Sequence, residues 1–176
     1  EKEFAINEYL CENIEYDEEA LENAKANDYK FVDAQFNDSF TAYGALINGK
    51  CVCAGYAAAF KLLAEEAGLD SIVVTGLLEG NLNHAWNKVK IGESWQVVDV
   101  TNNDMKYLEN ALLNLSNSVG DKVLIEDKDY VLDDVLSDYV ASSDVNEYYR
   151  VNNRYFSYEE VVNQLISELK EDGKTL

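Results

Sequence analysis

The sequence predicts an α+β domain in which one helix packs against an antiparallel β-sheet. The stretch VCAGYAAAFKLLAEEAGL, residues 52–69, carries apolar and small residues at helical spacing, and Gly68 is a natural end for it. Three β-rich stretches follow: SIVVTGLLE, NHAWNKVKI and SWQVVDVT. Only Gly92 and Glu93 separate the last two, which is typical of a two-residue hairpin loop.

The chain ahead of residue 52 is predicted to be mainly helical. Phe4, Ile6 and Leu10 recur at spacings of an amphipathic helix. Residues 41–49, TAYGALING, carry a shorter helical pattern that ends at Gly49. The elements expected are helices at 3–13, 17–26 and 41–48, with a surface loop at 27–40.

The pattern beyond Asp104 is weaker. A helix is predicted in DMKYLENALLNL, and strands are predicted in KVLIEDKDYVL and NEYYRVNNRYF. A terminal helix is predicted in SYEEVVNQLISELKE, where Ser157 and Glu160 form a capping box ahead of an apolar stripe. No repeat or linker divides the chain, so we expect one domain over residues 1–176.

Composition and charge exclude several classes of partner. The chain has 34 acidic and 14 basic residues and a formal net charge of -20, which repels nucleic acid and anionic lipid headgroups. No apolar run approaches the ~20 residues of a membrane span. The chain begins at Glu1 with neither an initiator Met nor a signal-peptide pattern, so we expect a module of a larger protein. An extracellular or cell-surface location of a bacterial protein is expected, with the cytoplasm left open.

The hairpin register determines whether a histidine and a carboxylate can meet. With a two-residue loop, Ile91 pairs with Ser94, and continuing that register pairs Trp86 with Asp99. His84 and Asp99 then project from the same face as diagonal neighbours, within reach of a hydrogen bond. A three-residue loop would place them on opposite faces.

A thiol at the start of the helix predicted in residues 52–69 can complete a reactive group with His84 and Asp99. Cys53 lies at or just before the first helical turn, where unpaired N–H groups and the helix dipole favour a thiolate. His84 is the chain's single histidine and the base available to it. Cys53, His84 and Asp99 would then act as nucleophile, base and orienting carboxylate. A zinc site that uses Cys51 and Cys53 is the alternative, although a Cys-x-Cys pair lacks the usual knuckle spacing.

Three segments resemble the transglutaminase-like core of the papain-like cysteine peptidase superfamily. They are INEYLCENIEYD, AYGALINGKCVCAGYAAAFKLLAEEAGL and VVTGLLEGNLNHAWNKVKIGESWQVVDVT. The resemblance covers roughly residues 1–104 and implies a papain-like α+β fold with the catalytic helix on an antiparallel sheet. Position by position, it places the nucleophile at Cys53, the base at His84 and the orienting carboxylate at Asp99.

The resemblance implies thiol-dependent acyl transfer to, or hydrolysis of, protein or peptide amides, without a cofactor or metal. We expect a peptidase or amidase rather than a transglutaminase, since no Ca²⁺-loop motif is present. A non-catalytic peptide- or protein-binding module of a secreted or cell-surface protein is the alternative. The chain departs from the family pattern at Asn102, where tryptophan is usual. Ile47 stands where papain-type enzymes carry the glutamine of the oxyanion hole, which leaves Tyr43 as a candidate for the second donor.

Overall fold

The computed structural model describes residues 1–104, 109–127 and 139–154, together with residue 163. The helices are α1 Lys2–Asn13, α2 Glu18–Ala26, α3 Cys53–Glu66, α4 Val100–Asn103, α5 Asn117–Gly120 and α6 Tyr148–Val151. The strands are β1 Glu15–Tyr16, β2 Lys50–Cys51, β3 Ser71–Leu78, β4 Leu82–Ile91, β5 Ser94–Val98, β6 Leu113–Leu115 and β7 Leu124–Glu126. A 3₁₀ helix covers Ala34–Phe40, and a π-helical turn covers Gly44–Asn48.

Most of the predicted elements of residues 1–104 are present, including the three β-rich stretches and the helix that starts at Cys53. The predicted loop at 27–40 is partly wrong, because Ala34–Phe40 is helical. The π-helical turn stops at Gly49, whose φ of 68° lies in the left-handed region that glycine adopts without strain. The terminal helix predicted with its capping box at Ser157 and Glu160 lies outside the described residues, apart from residue 163.

Two predictions beyond Asp104 are wrong. The segment DMKYLENALLNL was expected to be helical, but Leu113–Leu115 is a strand that pairs with β5, and its residues are all buried. Pairing and burial in the sheet override the local helical pattern there. NEYYRVNNRYF was expected to be a strand, but Tyr148–Val151 is helical. Arg150 makes ion pairs there with Asp144 and Glu147, at 2.8 and 3.3 Å.

Five antiparallel strands form the main sheet, in the order β6-β5-β4-β3-β7. The β4–β5 hairpin has the predicted register, with Ile91 opposite Ser94 and Val89 opposite Gln96. Gly92 opens its two-residue loop with φ of 62°, a conformation that favours glycine at this position. The register holds as far as Asn87 opposite Val98, and β5 ends there, one residue before Asp99.

Hydrophobic side chains cover both faces of the sheet. Val98 packs with Phe60 of α3 in one cluster, while its neighbour Val97 packs with Trp86 in a second. Successive residues of a strand point to opposite faces, which explains this division. Asn87 of β4 anchors α3 further, because its side-chain amide donates to the Ala57 carbonyl at 3.0 Å. The mixed α+β architecture, with the Cys53 helix packed on an antiparallel sheet, is therefore the predicted one.

Among the residues that the structure describes, no helix is both long enough and apolar enough to cross a membrane.

Candidate active site

Cys53 is the first residue of α3, and its side chain is partly exposed. Val52, the N-cap, provides no side-chain cap, so the first backbone N–H groups of the helix are not satisfied in that way. The positive end of the helix dipole therefore lies at the sulfur. The motif Cys-Ala-Gly-Tyr-Ala thus places a thiol at an anion-stabilising position at the edge of a cleft.

Close packing beneath the helix start explains the glycine two residues after Cys53. A Cβ added to Gly55 would lie 2.5 Å from the Cβ of Cys51 and 2.9 Å from the Ser39 carbonyl oxygen. Only glycine lets the helix approach β2 this closely. Cys51 itself is fully buried, and burial raises the pKa of its thiol to about 12. Cys51 is therefore a packing residue in its neutral form.

His84 and Asp99 are directly hydrogen-bonded. The Nε2 atom of His84 lies 2.7 Å from Oδ2 of Asp99, and their side chains are 4% and 1% exposed. Because Nε2 faces a carboxylate, it carries a proton, and Nδ1 is the nitrogen that remains for the Cys53 thiol. Cys53 interacts with the His84 ring, so thiol, imidazole and carboxylate lie in sequence. The stacked ring of Trp86, 6.0 Å away between centroids, supports the imidazole.

Electrostatics favour the protonated imidazole. Burial lowers the pKa of His84, but the Asp99 charge and hydrogen bond, followed by the interaction with Cys53, raise it to about 10. A buried carboxylate stabilises an imidazolium strongly, because little solvent screens the pair. Near neutral pH the ring therefore holds a proton that it can donate.

Asp99 is not part of strand β5, although continuing the hairpin register had predicted that it would pair there with Trp86. The strand ends at Val98, and Asp99 caps α4 by accepting from the backbone N–H of Asn102 at 3.3 Å. Its own backbone N–H donates to the Leu112 carbonyl at 2.9 Å. The ladder pair expected for Trp86 with Asp99 is therefore absent from the β4–β5 register. The carboxylate still reaches His84, because the turn into α4 keeps it beside β4.

Sequence analysis missed Tyr16. Strand β1 pairs in parallel with β2, with Tyr16 opposite Cys51, and this pairing brings the phenol to the start of α3. Burial raises the pKa of Tyr16 and so does the nearby Cys53 thiol, whereas the Cys53 backbone N–H, close to the phenol oxygen, acts to lower it. Tyr43, the candidate named from sequence, is 57% exposed, and neither it nor Tyr16 is among the residues that line the cleft; the contact with Cys53 is what distinguishes Tyr16.

The cleft beside the thiol has a volume of about 600 Å³ and is mainly apolar. Cys53 and His84 are among its lining residues, together with Val52 and Ala54 at the start of α3. Its acidic lining residues are Glu126 and Asp127, and Glu126 pairs with Lys88 at 2.6 Å. The apolar lining consists mainly of Leu21, Tyr29, Phe40, Val52, Leu77 and Ile125.

The described part of the chain contains no group of three or more His, Cys, Asp or Glu side chains that could hold a metal ion. The zinc alternative also requires Cys51, which is buried beneath Gly55.

Comparisons with known proteins identify the family of the chain. Residues 1–100 match the family model of the Transglutaminase-like superfamily. Mouse (Mus musculus) kyphoscoliosis peptidase is 30% identical over 108 residues, which is 55% of this chain and 15% of that protein.

Two solved structures are also similar. The crystal structure of a TGase superposes with a TM-score of 0.50 at 23% identity, over 56% of this chain and 25% of that one. A candidate cysteine protease from Cytophaga hutchinsonii has a TM-score of 0.42 at 20% identity, over 56% of this chain and 30% of that one. The chain thus spans less than a third of each of these relatives. The family match covers more than half of the chain, and the protein belongs to the Transglutaminase-like superfamily.

Proposed function

We propose that this protein cleaves amide bonds of proteins or peptides by thiol-dependent acyl transfer. Cys53 is the nucleophile, His84 is the acid and base, and Asp99 orients the imidazole. The observation that supports this proposal best is the sequence of contacts from the thiol, through the imidazole, to a buried carboxylate. A separate nucleophile, proton carrier and orienting group are the components that acyl transfer by a thiol needs.

The reaction proceeds in two halves. The Cys53 thiolate attacks the carbonyl carbon, a C–S bond forms, and the carbonyl oxygen becomes an oxyanion. The His84 imidazolium donates its proton to the leaving amine, the C–N bond breaks, and a thioester remains on Cys53. Water then attacks the thioester while His84 accepts a proton from it. The carboxylic acid leaves, and the thiolate and imidazolium are restored.

Two donors near the sulfur stabilise the oxyanion. One is the backbone N–H of Cys53, at the start of α3, and the other is the hydroxyl of Tyr16. Donors that are fixed before the reaction contribute strongly, because no reorganisation is needed as the charge develops. In the free site the Cys53 N–H donates to the phenol oxygen, so both groups lie beside the sulfur, and we infer that both turn to the oxyanion when it forms.

Hydrolysis is favoured over transfer to an amine. The relative with 30% identity is named a peptidase, and this supports water as the acyl acceptor. The apolar cleft suits an uncharged, apolar side chain on the acyl side of the substrate. The net charge of -20 disfavours acidic peptides.

A product assay with competing acceptors tests the proposal. A peptide library and activated esters are incubated with the protein in water, with and without a primary amine. Free acid as the main product supports hydrolysis, whereas amide that accumulates in proportion to the amine would identify a transglutaminase. Cys53→Ala is expected to abolish turnover, and Cys11→Ala, a change at another free thiol, is expected to leave it intact. Turnover that survives in Cys53→Ala would contradict the assignment.

Iodoacetamide separates the enzyme from a binding module. A thiolate paired with an imidazolium should be alkylated rapidly even at mildly acidic pH. Slow alkylation at Cys53 with no turnover of any substrate would instead favour the non-catalytic peptide-binding alternative.

A further inference from the structure

Asn102 contacts both groups of the His84–Asp99 pair. Its side-chain Nδ2 lies 2.6 Å from Oδ2 of Asp99 and 3.2 Å from Nε2 of His84. Its backbone N–H donates to Oδ1 of the same carboxylate at 3.3 Å. One residue therefore donates to both oxygens of a carboxylate that is fully buried.

The orientation of the Asn102 amide follows from these distances. If the amide were reversed, its oxygen would lie 2.6 Å from a carboxylate oxygen, which is repulsive. The NH₂ group therefore faces Asp99. The Nε2 atom of His84 already donates to Oδ2, so it cannot accept from Asn102. Oδ2 thus receives two donors, one from the imidazole and one from the amide.

Two donors from Asn102 fix the plane of the carboxylate. A carboxylate held by a single imidazole can rotate about its Cβ–Cγ bond, and the imidazole would follow it. The donors to Oδ1 and Oδ2 prevent that rotation, and they are effective because Asp99 is shielded from water. Asn102 belongs to the four-residue helix α4, whose N-cap is Asp99 itself. The short helix therefore brings the side-chain amide of Asn102 back into contact with the residue that caps the helix, Asp99.

We propose that Asn102 is a positioning residue of the acyl-transfer site, which holds the Asp99 carboxylate in the orientation that presents the His84 imidazole to Cys53. This inference rests on the proposed function of the site. It also gives a role to Asn102 at a position where tryptophan is usual in the family.

Substitution at Asn102 tests the proposal by kinetics. Asn102→Leu is similar in size and removes the side-chain donor, while the backbone donor to Oδ1 remains. We expect kcat to fall roughly 10- to 100-fold, the equivalent of one charge-assisted hydrogen bond, with KM little changed. Asn102→Asp restores a donor only while the introduced carboxyl is protonated. Its activity should therefore recover as pH falls, relative to that of Asn102→Leu.

Proton NMR of His84 gives a readout that needs no turnover. The chain has a single histidine, so its ring signals are unambiguous. The charged groups that face this ring are Asp99 and Cys53, with Glu126 and Asp127 along the same cleft. We expect a slowly exchanging Nε2–H signal in the wild type and a weakened, faster-exchanging one in Asn102→Leu, because the carboxylate that accepts it is no longer fixed.

The outcomes separate the two proposals. If the wild type shows no turnover but Asn102→Leu weakens the Nε2–H signal, the proposed function fails and the positioning role stands. If folded Asn102→Leu keeps both wild-type kcat and an unchanged Nε2–H signal, the positioning role is overturned. Should Asn102→Leu not fold, the same criteria apply to Asn102→Asp, compared at low and high pH.

Discussion

Asp99→Asn tests how strongly the buried carboxylate controls the imidazole. The side chain of Asp99 is 1% exposed and lies 2.7 Å from Nε2 of His84. Asparagine has the same shape, and its amide oxygen can still accept from the Asn102 backbone N–H as the N-cap of α4. The variant should therefore fold while it loses the charge, with one hydrogen bond fewer, because its NH₂ group then faces the NH₂ group of Asn102.

The expected magnitude follows from the protonation of His84. Burial lowers its pKa, and Asp99 together with Cys53 raises it to about 10, against an ordinary value of 6.5. Without the carboxylate, the two strongest causes of the raised pKa are lost while burial still lowers it, so the pKa of His84 should fall well below 10. Each unit by which the pKa falls is a tenfold loss of the imidazole's affinity for a proton. Asparagine can also turn its NH₂ group to Nε2 and so favour the wrong tautomer.

The assay is kcat/KM for ester or peptide hydrolysis between pH 5 and 10, together with the NMR titration of the single histidine. We expect kcat at pH 7, and kcat/KM with it, to fall about 10,000-fold, which is the loss that triads show when this aspartate becomes asparagine. Asn23→Ala, a change in α2 away from the site, is the control variant and should keep wild-type kcat/KM. Retention of more than a tenth of the activity, with His84 still titrating above pH 8, would refute the reasoning.

Three further outcomes are expected. Tyr16→Phe should lower kcat about 100-fold through loss of an oxyanion donor, whereas Tyr43→Phe, at an exposed position, should leave the rate unchanged; equal effects would contradict the assignment. Because the pKa of His84 is raised in the folded state, its contribution to stability is complete below about pH 6.5 and is lost as pH rises towards 10. In urea unfolding, the free energy of unfolding should therefore fall more steeply with alkaline pH in the wild type than in His84→Gln. Lys88 is 1% exposed and pairs with Glu126, so Lys88→Met should lower the free energy of unfolding by about 3–5 kcal/mol, and adding Glu126→Gln should recover part of it; a strictly additive double variant would contradict the pair's importance.

Local signals predicted the features that create the reactive pair. The two-residue loop at Gly92 and Glu93 fixed the register of the hairpin up to Val98. The last step, from Val98 to the His84–Asp99 hydrogen bond, depends on the turn into α4, which the register alone did not predict. The start of the helix at Cys53 could also be predicted, because a dense run of small and apolar residues begins there.

Features that depend on contacts distant in sequence could not be predicted. Tyr16 reaches the thiol through two strands of two residues each, which are too short to produce any periodicity. Leu113–Leu115 is a strand only because β5 offers an edge for it to pair with. That Asn102 replaces the usual tryptophan could be seen in the sequence. The role proposed for it required the structure, which shows its side-chain amide in contact with Asp99.

Mass spectrometry of a trapped acyl-enzyme tests the central proposal most directly. The protein is quenched in acid during turnover of an activated ester or peptide, digested, and searched for acylated cysteine. The expected result is a thioester on Cys53 alone, with none on Cys11 or Cys51. The rate at which this thioester forms should be strongly reduced in His84→Ala. Acylation spread over the other thiols, or none at Cys53 while substrate is consumed, would contradict the assignment.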